Sequence, residues 1–309
     1  MTNYVNVQII DYANSLQTAV HGLNELFFIA NQKAQELGQA TEFVVDIQEE
    51  SSLTPAHQGN RQVIIVPPSL GGDYYLAPHN RLIDYLNHAH KNGAVLCSAC
   101  AGTFILADTG LLNQRQVTTH WQLANVFADK YPEVVLSVDK ILINDADIIT
   151  AGGLMSWLDL GLEIVAQYMK PTVMRALGKY LIVDTGKREQ RYYQCFNPRF
   201  DHGAEQILII QHFIQANHNQ QLTVEALAQR VFMTKRTFLR QFSAATKHTP
   251  VQYIQRVRVQ KACELLETTN KTTEQIAALV GYDDVNGFRK IFNKVVGLNP
   301  TGFRAKFVG

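Results

Sequence analysis

The hydrophobic and polar positions of this 309-residue chain follow two different patterns. In the first part, short apolar runs alternate with segments in which apolar residues recur every three to four positions, the spacing of an amphipathic helix. The runs predict strands at residues 5–10, 43–47, 63–66, 94–98 and 148–150, and the periodic segments predict helices at residues 15–37, 80–92, 123–130 and 155–168. Strands that alternate with helices are typical of a mostly parallel sheet covered on both faces, so we expect an α/β domain.

The second part of the chain has helical spacing throughout. Residues 207–214 carry one apolar stripe, and residues 222–246 divide into a short helix, a turn and a second helix, with Thr234 as the N-cap of the second. Pro250 opens a long connecting helix, because proline is favoured at the first helical position. This pattern predicts an all-α domain.

The unit of short helix, turn and helix occurs twice in this domain. In the second copy, Thr272 and Gln275 have the spacing of a capping box, and Gly281 supplies the turn. Phe242 and Phe292 occupy equivalent positions, 292 − 242 = 50 residues apart. The repeat predicts two helix-turn-helix units on a rigid connecting helix, which would present two recognition helices to successive major grooves about 34 Å apart.

A weakly periodic, charged stretch separates the two parts. We expect a first domain at residues 1–185, a linker at 186–203 and a second domain at 204–309. Residues 180–183 are a candidate for one more strand of the first domain. The linker is therefore expected to be partly docked on its neighbours.

Charge is distributed unequally between the two parts. Residues 204–309 hold 14 Lys and Arg against 7 Asp and Glu, a net charge of +7, while residues 1–203 hold 14 against 20, a net charge of −6. The positive part favours a polyanionic partner such as double-stranded DNA, and the acidic part does not.

Composition also limits the class of protein. No run of 18 apolar residues exists, and the chain starts with the strand-like VNVQII instead of a basic and then apolar leader, so we expect a cytoplasmic protein without membrane contact. The four cysteines are scattered and fit reduced thiols. The ten histidines show no zinc spacing, so we expect neither a metal nor another cofactor.

The segment AVLCSACAGTFILA predicts a sharp elbow between a strand and a helix. The strand ends near Ser98 and the helix begins near Thr103, with small residues on both sides of Cys100. A strained elbow leaves no room for larger side chains, and the helix start would favour a thiolate at the elbow. A loop at Gly72, which can offer backbone N–H groups, and the TTHW segment around His120 are expected to converge there.

These segments resemble the class I glutamine amidotransferase-like superfamily, in its ThiJ/PfpI branch. LCSACAGTFILADTGLLNQRQVTTHW resembles its elbow and TTHW segment, ITAGGLMSWLDLGLEIVAQY resembles its closing segment, and the resemblance covers most of residues 5–167. It implies a flavodoxin-like domain. In enzymes of this superfamily the elbow Cys, matched by Cys100, is a nucleophile helped by a His, matched by His120, and often by a carboxylate near the end of the first strand.

The carboxylate is where this chain departs from the family pattern. Gln17 stands at the position where several members carry Glu, and an amide cannot ionise. We therefore expect no catalytic residue and no enzyme activity. We expect a pocket for a small molecule instead, lined by Gly72, Cys100, His120 and Asp159, with Asp159 holding a cationic group.

Other interpretations of these residues stay open. Cys100 could be a small packed residue, as Cys97 on the strand is expected to be. The Cys97-x-x-Cys100 spacing is also that of a thioredoxin-like redox pair. His120 could be a structural histidine, and Asp159 could act only as an acidic residue near a helix N-terminus.

Residues 222–307 resemble the DNA-binding domain of the AraC/XylS family. LAQRVFMTKRTFLRQF, YIQRVRVQKACELL, IAALVGYDDVNGFRKIF and GLNPTGFR match it without a gap. By position, the resemblance directs four side chains to the major groove, namely Arg236, Arg240, Asn286 and Lys290. Arg contacts guanine bidentately and Asn contacts adenine in the same way.

Two further cations, Lys235 and Arg289, are expected to contact phosphates. A merely solvated basic face is the alternative for all of these residues. Gly287, inside the second recognition helix, lowers helical propensity by about 1 kcal/mol relative to Ala, so that helix is expected to make fewer base contacts or to order on binding. Arg258, in the connecting helix, is expected to be structural.

The two resemblances together imply a sequence-specific transcriptional regulator. Its first domain is expected to bind a small metabolite of the amino-acid or quaternary-amine class and to dimerise. The expected partners are promoter or operator DNA, the effector, a second copy of the chain and, as a further candidate, RNA polymerase. Two alternatives stay open: a Cys-dependent hydrolase or amidase, and a thiol redox sensor, each fused to a DNA-binding domain.

Overall fold

The computed structural model describes residues 3–54, 61–186, 189–196 and 198–308. The chain divides into two compact units, which we call unit 1 (Met1–Gln190) and unit 2 (Arg191–Gly309). This division falls inside the predicted linker, of which Lys187, Arg188 and Asn197 lie outside the described residues. The limits 1–185, 186–203 and 204–309 stay a prediction.

Unit 1 contains a mostly parallel sheet. Its strands are β1 (Asn3–Asp11), β2 (Thr41–Glu49), β3 (Arg61–Val66), β4 (Val95–Ala99), β5 (Gln116–Val117), β6 (Val135–Leu136), β7 (Leu142–Asp145) and β8 (Ile148–Ala151). The main sheet has the order β2-β1-β3-β4-β8-β7, in which the edge strand β7 is antiparallel to β8 and the other pairs are parallel. The short strands β5 and β6 pair with each other.

Helices cover both faces of this sheet. They are α1 (Gln17–Glu36), α2 (Asn80–Lys91), α3 (Gly102–Asp108), α4 (Ala124–Lys130), α5 (Trp157–Tyr168) and α6 (Pro171–Leu181). Because successive strand residues point to opposite faces, Val63 and Ile65 pack under α1, α5 and α6, while Ile64 and Val66 pack under α2, α3 and α4. The flavodoxin-like fold expected for this unit is confirmed.

The strands and helices predicted for the first part of the chain are all present in unit 1, with ends shifted by at most two residues. The extra strand at residues 180–183 is wrong, because this segment contains the end of α6 and the turn after it. Pro171 at the first turn of α6 and the buried pair Val173 and Leu177, four residues apart, explain the helix. The strands β5, β6 and β7 were not predicted.

Unit 2 is helical. Its helices are α7 (Glu205–Ala216), α8 (Val224–Arg230), α9 (Lys235–Thr246), α10 (Pro250–Thr268), α11 (Thr273–Leu279), α12 (Val285–Val296) and α13 (Pro300–Phe307). The predicted caps are confirmed: the Thr234 hydroxyl accepts from the Thr237 N–H, and Thr272 and Gln275 form a reciprocal capping box. Helices α8 and α9 form the first helix-turn-helix unit, and α11 and α12 form the second.

Two separate hydrophobic clusters support the two helix-turn-helix units, and α10 contributes to both clusters. Tyr253 and Val257 of α10 pack in the first cluster with residues of α7, α8 and α9. Val259 and Leu266 of the same helix pack in the second cluster with residues of α11, α12 and α13. The connecting helix therefore contributes to the cores of both helix-turn-helix units.

In the part of the chain that the structure describes, no helix has the length and apolar character needed to cross a membrane.

Candidate functional site

The predicted elbow lies between β4 and α3. Cys100 connects them with a φ of 54°, a left-handed conformation that is strained for any residue with a side chain. Its N–H donates to the Ala151 carbonyl at 2.7 Å, and its own carbonyl accepts from the Thr119 hydroxyl at 2.7 Å. The strand β8 and the TTHW segment therefore hold the elbow from two sides.

The elbow requires a glycine immediately after it. A Cβ atom at Gly102 would lie 2.6 Å from the carbonyl oxygens of both Val66 and Pro67. The Pro67 carbonyl also accepts a hydrogen bond from the Tyr12 hydroxyl at 2.7 Å. The small residues that marked this segment in the sequence therefore have a steric cause.

Burial controls the chemistry of the Cys100 thiol. The residue is only 4% exposed, and this burial raises the pKa of the thiol to about 12, although a backbone hydrogen bond from Ala101 opposes the shift. The helix start does favour the thiolate, through the Ala101 N–H, but desolvation outweighs this effect. Burial likewise raises the pKa of the Cys97 thiol, which packs in the core beneath α1 and α5.

His120 is half-buried at the end of the TTHW segment. Its Nδ1 accepts the Gln122 N–H at 3.1 Å, which assigns the ring proton to Nε2, and the ring stacks on Trp121. Burial lowers the pKa of His120, so the ring is neutral at pH 7. Among the described residues, no hydrogen bond joins His120 to the sulfur of Cys100. A neutral thiol and a neutral imidazole are not a thiolate–imidazolium pair.

Aromatic residues near the elbow were missed by the sequence analysis. Tyr12 is buried, and burial followed by the proximity of the Cys100 thiol raises the pKa of its hydroxyl. Its ring stacks on Tyr74 at 5.4 Å between centroids, shortly after the Gly72 loop. The only sequence signal was the aromatic residue that follows β1, which is a weak one.

The chain around the end of β1, at residues 11–14, lies beside both Gly72 and Gln17. Gly72 is exposed and has a φ of +66°, and a Cβ atom there would approach Asn14 to 2.5 Å. Gln17 is exposed, and its amide donates to Asp11 at 2.9 Å. Gln17 is thus engaged with the end of β1.

Asp159 lines a different cavity of about 370 Å³. Its described lining includes the carboxylates Glu163 and Asp184 and the apolar side chains Leu162 and Met174. Cys100, His120 and Gly72 are not among the described residues that line it. The predicted pocket residues therefore separate into two groups.

Gln190 ties the end of unit 1 to the TTHW segment. Its side chain is buried, its amide nitrogen contacts the carbonyls of Thr119 and Lys140 at 2.9 and 3.0 Å, and its amide oxygen accepts the Trp121 N–H at 3.1 Å. A Cβ atom at Gly152 would overlap this amide, so the space is already filled. Sequence analysis placed Gln190 in the linker and missed this role, because its partners lie 50 to 71 residues away.

The predicted DNA contacts lie on the exposed faces of α9 and α12. All six side chains are exposed: Lys235, Arg236, Arg240, Asn286, Arg289 and Lys290. Asn286 and Lys290 follow the capping residue Asp284 by two and six residues, as Arg236 and Arg240 follow the capping residue Thr234. The two recognition helices therefore present equivalent positions at equivalent distances from their starts.

Each recognition helix also carries a cation tied to the first helix of its unit. Lys235 pairs with Glu225 at 2.5 Å, and Arg289 pairs with Glu274 at 2.7 Å. Both glutamates lie in the first turn of α8 or α11. These ion pairs link each recognition helix to the first helix of its helix-turn-helix unit. The phosphate contacts of the two cations stay a prediction.

Gly287 occupies a different environment from the one that its helical propensity suggested. It lies in the first turn of α12, where its N–H donates to the Asp284 carboxylate at 3.0 Å. A Cβ atom there would lie 2.9 Å from an oxygen of the same carboxylate. The glycine therefore accommodates the cap of α12, and its low helical propensity applies at the helix end rather than in the middle.

Among the described residues, no group of three His, Cys, Asp or Glu side chains could hold a metal ion.

Comparison with known proteins shows what parts of each unit are similar to. Residues 28–167 match the model of the DJ-1/PfpI family, and residues 227–306 match that of a helix-turn-helix domain. The chain is similar to the HTH-type transcriptional regulator CdhR of Pseudomonas aeruginosa, 24% identical over 84% of this chain and 76% of that protein. It is also similar to the HTH-type transcriptional regulator ArgR of the same species, 26% identical over 70% of this chain and 65% of that protein.

Two solved structures are similar to one unit each. Drosophila melanogaster DJ-1beta has a TM-score of 0.44 and 14% identity, covering 60% of this chain and all of that one. The DNA-binding domain of the global transcriptional factor AdpA, in complex with a target DNA, has a TM-score of 0.32 and 30% identity, covering 33% of this chain and 91% of that one.

Proposed function

We propose that this chain, an AraC-type helix-turn-helix transcriptional regulator with a DJ-1/PfpI domain, reads DNA sequence through α9 and α12 and changes its affinity for DNA when a small metabolite occupies unit 1. The observation that carries the first half of the proposal is the repeated exposed face of the two recognition helices. Four of its exposed side chains are proposed to read bases, and two cations lie on the same helices.

The roles of these residues follow from their chemistry. Arg236 and Arg240 can each donate two hydrogen bonds to guanine, and Asn286 can bind adenine bidentately. Lys290 adds a donor at the position equivalent to Arg240. Lys235 and Arg289 neutralise phosphates and carry affinity rather than sequence preference.

Unit 1 is proposed to bind its effector at the wall formed by Cys100, His120 and the Gly72 loop. The neutral thiol, the Nε2–H of His120 and the nearby Tyr12 ring offer a hydrogen-bond donor beside apolar surface, as small-molecule sites commonly do. Amino acids and quaternary amines are the proposed ligand class. The cavity at Asp159 is the second candidate place, because a carboxylate beside apolar side chains suits an organic cation.

Gln190 supports a route from this wall to unit 2. Its side chain contacts the backbone of Thr119 and Trp121, on either side of His120, and the next residue along the chain is the first of unit 2. A ligand that moves the TTHW segment would change these hydrogen bonds of the Gln190 side chain. The Gln190 amide is therefore the proposed point at which ligand occupancy changes the connection between the units.

Two partners follow from the same proposal. Regulators that read palindromic or directly repeated sites bind as dimers, so a second copy of this chain is proposed to join through unit 1. RNA polymerase is the proposed partner when the bound regulator activates transcription.

A panel of amino acids and quaternary amines tests the effector half of the proposal. Both tryptophans, Trp121 and Trp157, belong to unit 1, so their fluorescence reports its unfolding within the full chain. A ligand present at 100 times its Kd should stabilise unit 1 by about 2.7 kcal/mol and be recovered unchanged. Loss of this shift in Cys100→Ala or in Asp159→Asn identifies which of the two places holds the ligand. A panel without any stabilising compound contradicts the proposed ligand class.

The enzyme alternative makes a different prediction for the same samples. A Cys-dependent hydrolase or amidase would consume the stabilising compound, and Cys100→Ala would abolish its turnover. Recovery of the compound unchanged, together with an intact response of DNA affinity in Cys100→Ala, would exclude catalytic signalling. The redox alternative predicts that peroxide changes DNA affinity in the wild-type chain and not in Cys100→Ala.

A further inference from the structure

We propose that Arg258 fixes the relative orientation of the two helix-turn-helix units and thereby sets the spacing of the two DNA segments that the chain can read together. This inference rests on the proposed function, because it concerns how two recognition helices engage one duplex. It extends that function to a residue which touches no base.

Arg258 lies at the junction of the two hydrophobic clusters of unit 2. Its neighbour Val257 belongs to the first cluster, and its other neighbour Val259 belongs to the second. The two clusters are distinct, so the two helix-turn-helix units share α10 but no single apolar core. A polar connection at the junction therefore adds to the rigidity that α10 provides.

The guanidinium of Arg258 joins one segment from each side of the junction. Its Nε donates to the His218 carbonyl at 2.7 Å and its Nη2 donates to the Gln220 carbonyl at 2.8 Å, both in the loop before α8. The group also lies 5.2 Å from the centroid of the Tyr282 ring, in the turn between α11 and α12. One planar side chain therefore holds the entry to the first unit against the turn of the second.

Two further contacts support the same joint. The loop before α8 approaches Gly281 so closely that a Cβ atom there would lie 2.8 Å from the Asn219 carbonyl oxygen. The Gln221 amide donates to the Asp283 carboxylate at 3.0 Å. Arg258, with two donors in one plane facing this loop, is the side chain that a lysine cannot replace, because an ammonium cannot hold two carbonyls and stack on a ring in one geometry.

Arg304 provides a matched control within the same unit. It lies on α13 and donates to the carbonyls of Leu266, Thr269 and Lys271, in α10 and the loop before α11. It therefore makes the same kind of bonds as Arg258, but both sides of its contact lie around the second cluster. Loss of the Arg304 side chain should lower stability without changing how the two helix-turn-helix units are held together.

The test uses the full chain and a duplex selected from random DNA by the wild type. Footprinting defines the two segments that each copy protects, and affinity is measured for this duplex and for one with 5 base pairs inserted between the two segments of each copy, which rotates them by about half a turn. A rigid pair of units should lose about 100-fold in affinity on insertion, because only one segment can then be engaged. Arg258→Ala should lose about 10-fold or less in affinity on insertion. Its two helix-turn-helix units, joined flexibly, can still reach both segments, although flexibility reduces the affinity gained by linking them.

The variants separate a loss of folding from a loss of orientation. Arg304→Ala should keep the wild-type loss on insertion, and Arg258→Lys, which keeps the stem and charge, should fall between the wild type and Arg258→Ala. Helical circular dichroism is recorded for each variant on the same samples. The inference is overturned if Arg258→Ala or Arg258→Lys loses as much affinity on insertion as the wild type does. It is also overturned if the wild type loses no affinity on insertion. A wild type that selects no sequence at all overturns the proposed function instead.

Discussion

The elbow of unit 1 and the recognition helices of unit 2 present the side chains proposed to be functional in opposite ways. Cys100 is buried on a strained backbone, and its thiol is kept neutral by desolvation. Arg236 and Arg240 are exposed on a regular, capped helix. The first arrangement depends on distant segments that close around one residue, whereas the second depends on a local pattern that occurs twice.

This difference indicates how each site tolerates change. Substitutions around the elbow act on the stability of unit 1, because its neighbours are backbone carbonyls that cannot move freely. Substitutions on the outer faces of α9 and α12 leave the cores intact, and we expect them to act on DNA binding. The contrast is sharpest for the cysteines, since Cys100 is buried and Cys195 is exposed.

Alkylation should distinguish these thiols by the largest factor. With a pKa of about 12, only about one Cys100 in 10⁵ is a thiolate at pH 7, so iodoacetamide should modify Cys195 at least about 100 times faster in the native full chain. Peptide mass mapping measures both rates, and all four cysteines should react alike in denaturant. Faster labelling of Cys100 than of Cys195 would contradict the buried, neutral thiol and favour the enzyme or redox alternative.

The same pKa shift has a consequence for stability. Because the folded pKa lies above that of an exposed thiol, the unfolded state loses its proton first as the pH rises. The contribution of Cys100 to stability is therefore complete below about pH 9 and is lost progressively toward pH 12. Urea unfolding of the wild type and of Cys100→Ala across this range measures it, and parallel curves would argue against the shift.

Crowding at the elbow should be the next largest effect. Gly102→Ala places a methyl group against two carbonyls and should destabilise unit 1 by about 3 kcal/mol. Gly110→Ala is the control, because its φ of +76° is unfavourable for alanine but no atom lies nearby, which predicts a cost of about 1 kcal/mol. Tryptophan fluorescence in urea measures both. Equal costs for the two variants would show that the close approach at Gly102 relaxes freely.

A smaller effect should show a difference between the turns of the two helix-turn-helix units. Phe232 has a φ of 55° and is 97% exposed in the turn of the first unit, where the second unit has Gly281. Phe232→Gly should stabilise unit 2 by about 0.5 to 1 kcal/mol by removing backbone strain. Phe232→Ala removes the ring but keeps the strain, so it should give no gain. Circular dichroism melts provide the measurement, and an equal loss in both variants would mean that the ring contributes to the fold.

The smallest effect concerns the phosphate contacts. Arg289→Ala should weaken specific and random DNA equally and lower the slope of log K against log salt by about 1. Glu274→Gln, which removes the ion-pair partner of Arg289, should leave that slope unchanged. A loss of affinity confined to the specific duplex would instead assign Arg289 to base reading.

Local patterns explain why most of unit 2 could be predicted. The caps Thr234 and Thr272, the turn at Gly281 and the paired phenylalanines are all signals within one or two helical turns. The elbow was predictable for the same reason, because its small residues are contiguous in sequence. These features are set by sterics and hydrogen bonds over short separations.

Long-range contacts explain what was missed. Gln190 lies in a polar segment without periodicity, and its buried role arises only because the chain returns to the TTHW segment. Asp159 was grouped with Cys100 on the resemblance alone, and nothing in the spacing showed that it lines another cavity. The helix at 171–181 was missed despite a usable signal, namely Pro171 followed by Val173 and Leu177.

Sequence-specific DNA binding by the full chain is the most direct measurement. The wild type is titrated with its selected duplex and with random DNA of equal length at one salt concentration, and Arg240→Ala is titrated in parallel. We expect the wild type to prefer the selected duplex by at least about 10³-fold, and Arg240→Ala to lose about 1 to 3 kcal/mol on that duplex while keeping its affinity for random DNA. Equal affinity of the wild type for both duplexes, or an equal loss on both in Arg240→Ala, would contradict recognition of sequence through α9.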